Sequence, residues 1–246
     1  MGVTASKAVA VAAVVAALAG TAACGGGGAK AADGKAPATH SARPVVDART
    51  LTQAELAAAA VTGADLHGWQ ASGPRRAGAG ARRQVPDPAC RALYGMTAEL
   101  GAGRQRDRGA VQESVTSGEH DVTVVLRTYT AADAAQLMAD LRTSLKTCPA
   151  RFDSAVEGET YSHTERLKDP AAGDDALAYR TVQTIPGEDP DDVTAAGHGL
   201  YHVVVVRCGA TIATFSEFAM DGDPAAVPTA VVTAQAAKLA RAAGGA

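Results

Sequence analysis

Apolar and polar positions alternate most strictly over "LYHVVVVRCGATIATFSEF", residues 200–218. A period of two predicts β-strands, and Gly209-Ala210 falls where a two-residue hairpin turn with glycine first belongs. That register sets Cys208 opposite Thr211, Val206 opposite Ala213, Val204 opposite Phe215 and His202 opposite Glu217. One face of the pair is then largely apolar, as a half-buried antiparallel pair requires. A second hairpin is predicted from "GAVQESVT" and "HDVTVVLRTY", with Ser117-Gly118 between them. In its second strand Val122, Val124 and Leu126 share one side, while Thr123, Val125, Arg127 and Tyr129 share the other. Further strands are predicted at "RFDSAV", "ETYSHTERL" and "ALAYRTVQTI", the last two separated by the acidic turn "DPAAGDD". A short strand carrying Trp69 follows a turn at Gly68.

Elsewhere the period lengthens. From Thr130 onward Ala134, Leu137, Met138, Leu141 and Leu145 recur at helical spacing, with Asp133, Asp140 and Arg142 off the stripe. These apolar residues are core positions rather than a cofactor box, and Cys148-Pro149 ends the helix. Thr52 with Glu55 forms a capping box that opens a short helix over 53–61. A closing helix starts near Pro228 and runs through Leu239 to Arg241. Hairpins interrupted by helices, without a strand–helix–strand rhythm or internal repeat, predict an α+β fold. The expectation is one domain over 49–243, an antiparallel sheet with helices packed on one face.

Residues 1–48 follow neither period. Lys7 precedes an apolar run from Ala8 to Gly20, long enough for a signal peptide but short of the ~20 residues that span a bilayer. Thr21, Ala22 and Ala23 lead into Cys24, which four glycines follow. This resembles the bacterial lipobox, whose cysteine is acylated and becomes the mature N-terminus. The resemblance makes 1–23 a lipoprotein signal peptide, Cys24 the attachment point for acyl chains such as palmitate, and 24–48 a flexible linker. The expected location is the extracytoplasmic face of the cell membrane, reached through the N-terminal lipid.

Charge changes the picture only locally. The chain holds 23 Lys or Arg against 26 Asp or Glu, a net −3. Arg75, Arg76, Arg82, Arg83, Arg91, Arg104, Arg106 and Arg108 crowd one segment, against Asp87, Glu99 and Asp107. An anionic partner fits such a segment, and so does a solvated Gly- and Ala-rich loop, which is the reading adopted. Tyr94 is the single aromatic residue among these arginines, too few for a base-stacking platform, and export removes the chain from nucleic acid. No nucleic-acid partner is expected.

The chemistry-bearing residues form no catalytic pattern. The sequence has no HExxH, no GxSxG, no phosphate-cradling loop and no CxxC pair. His198 and His202 stand ~13 Å apart on an extended strand, too far for one zinc ion. Asp189, Asp191 and Asp192 lack the alternating ligands and closing Glu of a calcium loop. No catalytic, cofactor-binding or metal-binding residue is assigned, no cofactor is expected, and the chain is not read as an enzyme. With Cys24 lipidated, Cys90, Cys148 and Cys208 enter an oxidising compartment. Cys90 and Cys148 sit at chain reversals where a bridge bends no strand, whereas Cys208 flanks a tight turn on the apolar face. A Cys90–Cys148 disulfide with Cys208 free is predicted.

"LTQAELAAAAVTGADLHGWQ", "PDPACRAL", "YTAADAAQLMADLRTSLKTCPARF", "GDDALAYR" and "VVVVRCGATIATF" occur in an order that resembles actinobacterial envelope lipoproteins. These are similar to the PknH-like extracellular sensor domains of some serine/threonine kinases. The resemblance implies a disulfide-stabilised α+β sensor or binding domain with a cleft. The function expected is a non-catalytic, lipid-anchored ligand-binding or sensor-like module for an unknown small molecule or envelope protein. The alternative is a structural or accessory envelope protein that binds another protein through its sheet face.

Overall fold

The hairpin that dominates the sequence also lies at the middle of the sheet. A computed structural model describes residues 49–77, 85–97, 107–154, 158–185, 197–220, 222 and 226–244. Its elements in chain order are α1 (Gln53–Ala58), β1 (Gln70–Ala71), β2 (Arg75–Arg76), α2 (Arg91–Thr97), β3 (Gly109–Ser117), β4 (His120–Thr128), α3 (Ala131–Thr147), β5 (Arg151–Asp153), β6 (Thr160–Arg166), β7 (Asp175–Ile185), β8 (Gly197–Cys208), β9 (Thr211–Met220) and α4 (Thr229–Gly244). The strands make one sheet in the order β1-β3-β4-β9-β8-β7-β6-β5, with β2 also pairing β3. Every pairing is antiparallel. The fold is therefore α+β with a single domain.

The β8–β9 register is the one the alternation predicts, from Cys208↔Thr211 to His202↔Glu217. Gly209 supplies the positive φ of 59° that the first turn position needs. In the other hairpin Ser117 pairs with His120, so the turn is Gly118-Glu119, one residue later than expected. Capping is local and legible. The Thr52 hydroxyl and the Glu55 carboxylate form the reciprocal box that opens α1, and the Thr130 hydroxyl accepts from the Asp133 N–H at the start of α3.

One expectation is corrected. The helices divide between both faces of the sheet instead of packing on one. Val204, Val206, Ala213 and Phe215 share a core with Leu56 of α1 and with Val232 and Leu239 of α4. Val203, Val205 and Ile212, on the opposite face, share a second core with Leu93 of α2 and with Leu137, Met138 and Leu141 of α3. The cause lies in the central strand. Its run of four valines is apolar at odd and even positions alike, so both faces of β8 need cover.

The Cys90 and Cys148 sulfurs are bonded, with an S–S distance of 2.01 Å and Cα atoms 4.8 Å apart. Cys90 ends a short 3-10 turn, Pro88–Cys90, that runs into α2, and Cys148 caps the C-terminus of α3. The bridge thus ties the two helices of the second core end to end. Cys208 is buried and free, its thiol donating to the Ala236 carbonyl at 3.7 Å. Burial, with the nearby Asp174 charge, pushes that thiol up to about 12, so it stays protonated and packs as a small hydrophobe.

Arg75 and Arg76 lie in an edge strand paired with Gln112 and Val111, not in a loop, and both are exposed. Cys24 with the leader and linker, Arg82, Arg83, Arg104, Arg106 and Asp189, Asp191 and Asp192 lie outside the described residues.

Candidate functional site

Beyond the rim of the α1–α4 layer the same sheet face turns polar. His120 on β4 continues the stripe of Val122 and Val124, Glu217 on β9 that of Ala213 and Phe215, and His202 on β8 that of Val204 and Val206. The registers His202↔Glu217, Arg180↔His202 and Glu165↔Arg180 then extend the row across β7 and β6. Five adjacent strands contribute one chemistry-bearing side chain each. Regular pleating, rather than any sequence motif, brings them together.

The contacts run along the row. His120 Nδ1 lies 2.8 Å from Glu217 Oε1, and the Glu217 side chain is only 4% exposed against 32% for His120. The second carboxylate oxygen of Glu217 has no hydrogen-bond partner among the described residues. Trp69 stacks on His120 with ring centroids 5.7 Å apart, and the Ser117 hydroxyl holds the preceding turn by donating to the Gly68 carbonyl at 3.0 Å. At the other end Arg180 gives Nε and Nη2 to Glu165 Oε2 at 2.9 and 2.7 Å. Both of these side chains are solvated, so the pair contributes only ~0–1 kcal/mol to stability and can be exchanged at little cost.

One step further out the face becomes apolar again. Val182, Leu200 and Ala219 lie side by side in register, all half-buried. The arrangement is an amphipathic shelf, with a row of imidazole, carboxylate and guanidinium groups beside a strip of aliphatic ones. Such a surface can take a small polar ligand, with Arg180 and the imidazoles toward its anionic groups and the strip against its apolar part.

His202 and Glu217 face each other as the register predicts; Glu217 is buried, and its resolved bond goes to His120. His198 meets Thr184 Oγ1 at 3.4 Å, outside the row. Among the described residues no group of three His, Cys, Asp or Glu side chains is placed to hold a metal ion. Trp69, His120, Arg180 and Glu165 were not singled out as a site by the sequence. Their signal is polar residues at positions where an apolar stripe should continue, and it is readable only once the strand order is known.

No family model matches the chain, and no curated protein matches it. Among solved structures it is similar to the extracellular domain of PknH from Mycobacterium tuberculosis, at 11% identity and a TM-score of 0.45, over 78% of this chain and 96% of that one.

Proposed function

We propose that this protein is a lipid-anchored, non-catalytic, sensor-like or ligand-binding module on the extracytoplasmic face of the cell membrane, and that the polar row and its apolar strip are the contact surface. The observation that carries the reading is the row of Glu217, His202, Arg180 and Glu165 in register across four adjacent strands, joined diagonally by His120 of β4 through its 2.8 Å contact with Glu217. A buried carboxylate with an unused acceptor costs ~1–3 kcal/mol, so Glu217 has an acceptor to offer a ligand donor. The leader, Cys24 and the glycine tether support the location, and the Cys90–Cys148 disulfide suits an oxidising compartment. No described helix is long and apolar enough to cross a membrane. Anchoring is assigned to acyl chains on Cys24, since more than one chain is needed to hold a protein firmly at a bilayer.

A thermal-shift screen of the full-length chain against small molecules from the cell envelope tests the reading. A ligand at 100 times its Kd stabilises by ~2.7 kcal/mol. That shift is expected for the native protein and lost in Arg180→Ala and His120→Ala. A shift retained in both variants places the site elsewhere.

The second reading, an accessory protein that binds another protein through its sheet, is favoured by Phe218 and Met220. These are 42% and 49% exposed on the opposite sheet face. Absence of any small-molecule shift, together with co-purification of one envelope protein that Phe218→Ser abolishes, supports this second reading.

A further inference from the structure

One end of the sheet is rimmed by cations. Gly109, Thr128, Thr211 and Cys208 stand in register there, at the ends of β3, β4, β9 and β8, and Arg207 beside them pairs with Asp175 at the start of β7. Arg108 is placed at this end by its N–H, which bonds the Thr128 carbonyl at 2.8 Å. Arg75 and Arg76 pair with Gln112 and Val111, close to the start of β3. Across the sheet Lys168 follows Leu167, whose N–H bonds the Ala178 carbonyl at 2.8 Å near the start of β7. Arg241 stands in the last turn of α4, one position before the Ala242 carbonyl that Arg49 holds at 3.1 Å.

These five residues are exposed, and none is in an ion pair among the described residues. The carboxylates at the same end are already engaged. Glu55 is held by Arg49, Asp107 by Arg127, Asp169 by Arg166, Asp174 by Arg207, Asp175 by Arg142, and Asp133 by Thr130 at the start of α3. The rim therefore carries an excess of positive charge. It is also the end at which the tether enters. Arg49 is the first described residue, and the Thr50 hydroxyl fixes the chain there by donating to the Tyr129 carbonyl at 2.8 Å.

We propose that this basic rim docks on the anionic phospholipid head groups of the membrane that anchors the chain. Charge complementarity selects the partner, since each basic side chain at an anionic bilayer surface is worth about fivefold in partitioning. The tether makes so modest a contact sufficient. A flexible linker over 24–48 spans ~27 Å on average, which holds the rim near the surface at a high effective concentration. Docked in this way, the domain stands end-on to the bilayer. His202 lies six residues from Cys208 along β8, so the polar row is carried ~20 Å above the head groups. The inference rests on the lipid-anchor reading only for the bilayer being at hand.

The test is sedimentation of the unacylated full-length chain, Cys24→Ala, with vesicles of phosphatidylcholine alone or of two parts phosphatidylcholine to one of phosphatidylglycerol. Partitioning should be stronger on the anionic vesicles, and high salt should remove the excess. Arg75→Gln with Arg76→Gln and Arg108→Gln should cut the excess ~100-fold, and Lys168→Gln with Arg241→Gln ~25-fold, at about fivefold for each charge. The leader is common to every variant and cancels in the comparison. Arg151→Gln, which removes an exposed cation from the far edge strand β5, should partition as the native residue does. Equal binding to the two vesicles, an excess that survives in either multiple variant, or a fivefold loss in Arg151→Gln overturns the docking. A chain that takes no fatty-acid label on Cys24 loses its anchor and leaves the vesicle result standing. Loss of the vesicle excess removes the docking and leaves the anchor and the row.

Discussion

Replacing Glu113 by glutamine should change how stability depends on pH, and the size of the change follows from the burial of this one side chain. In the folded protein its carboxyl titrates at about 7, against an ordinary value of 4.5. Between those two pH values the folded state binds more protons than the unfolded one. Stability therefore falls as pH rises through that window and is level above it. At ~1.4 kcal/mol for each pH unit of displacement, the loss amounts to ~3 kcal/mol. For a domain of this size that corresponds to a fall of ~6–12 °C in Tm. The amide of the Glu113→Gln variant carries no charge to bury, so its stability should lack this fall. Glu55 and Asp65, both held down to about 2, lose their contributions only in more acidic solution and do so equally in both proteins. Urea unfolding of native and Glu113→Gln chains at intervals from pH 4.5 to 8.5 is the assay, and the difference between the two curves is the quantity of interest. It should widen by ~3 kcal/mol in favour of the variant as pH rises. Parallel curves would show that Glu113 is ionised in the fold at little cost, and the reasoning from burial would fail.

Three other outcomes are expected. Cys90 and Cys148 are separated by 58 positions, and closing such a loop contributes ~4 kcal/mol on chain-entropy grounds; reduction, or Cys90→Ser with Cys148→Ser, should lower stability by about that much, while Cys208→Ala should leave the non-reducing peptide map unchanged. Gly173→Ala should cost ~3 kcal/mol or more in urea unfolding, because a Cβ there meets the Arg207 carbonyl oxygen and Val206 Cγ1 at 2.5 Å and the backbone has a φ of +63°; a loss below ~1 kcal/mol would mean that the β7 entry turn is free to move. Cys24→Ala should release the chain or leave an unprocessed precursor and stop incorporation of labelled fatty acid, and absence of label in the native chain would remove the lipid anchor from the proposal.

Much of the fold was legible because its signals are local. The turn at Gly209-Ala210 and the stripes of Val204, Val206, Ala213 and Phe215 fix the central register without knowledge of anything distant. Thr52, Glu55 and Thr130 mark helix starts for the same reason. The two-sided helix cover was also written in the chain, since Val203 and Val205 are as apolar as Val204 and Val206, but alternation on neighbouring strands drew the reading to one face. The site was less legible. His202 opposite Glu217 follows from a hairpin, whereas His120 beside Glu217 requires β4 to dock on β9, a pairing that joins distant parts of the chain. Arg180 and Glu165 enter by the β7–β8 and β6–β7 pairings, the latter shifted by a bulge between Ser162 and Glu165. Glu113 shows the limit most plainly. Its place in the stripe of Val111 and Val115 marks it as core-facing, yet only the packed structure shows that its oxygens find no hydrogen-bond partner of ordinary geometry among the described residues.

The proposed contact surface consists of the line from His120 to Glu165 and the strip of Val182, Leu200 and Ala219. Its most direct test is nuclear magnetic resonance of the isotope-labelled full-length chain titrated with the small-molecule fraction of a cell-envelope extract. Shifts should concentrate on the Trp69 indole, the His120 and His202 rings, the Arg180 guanidinium and the amides of Val182 and Leu200. Shifts confined to Phe218 and Met220 on the opposite face, or a spectrum that the extract leaves unchanged along the whole row, would show that the row is not the contact surface.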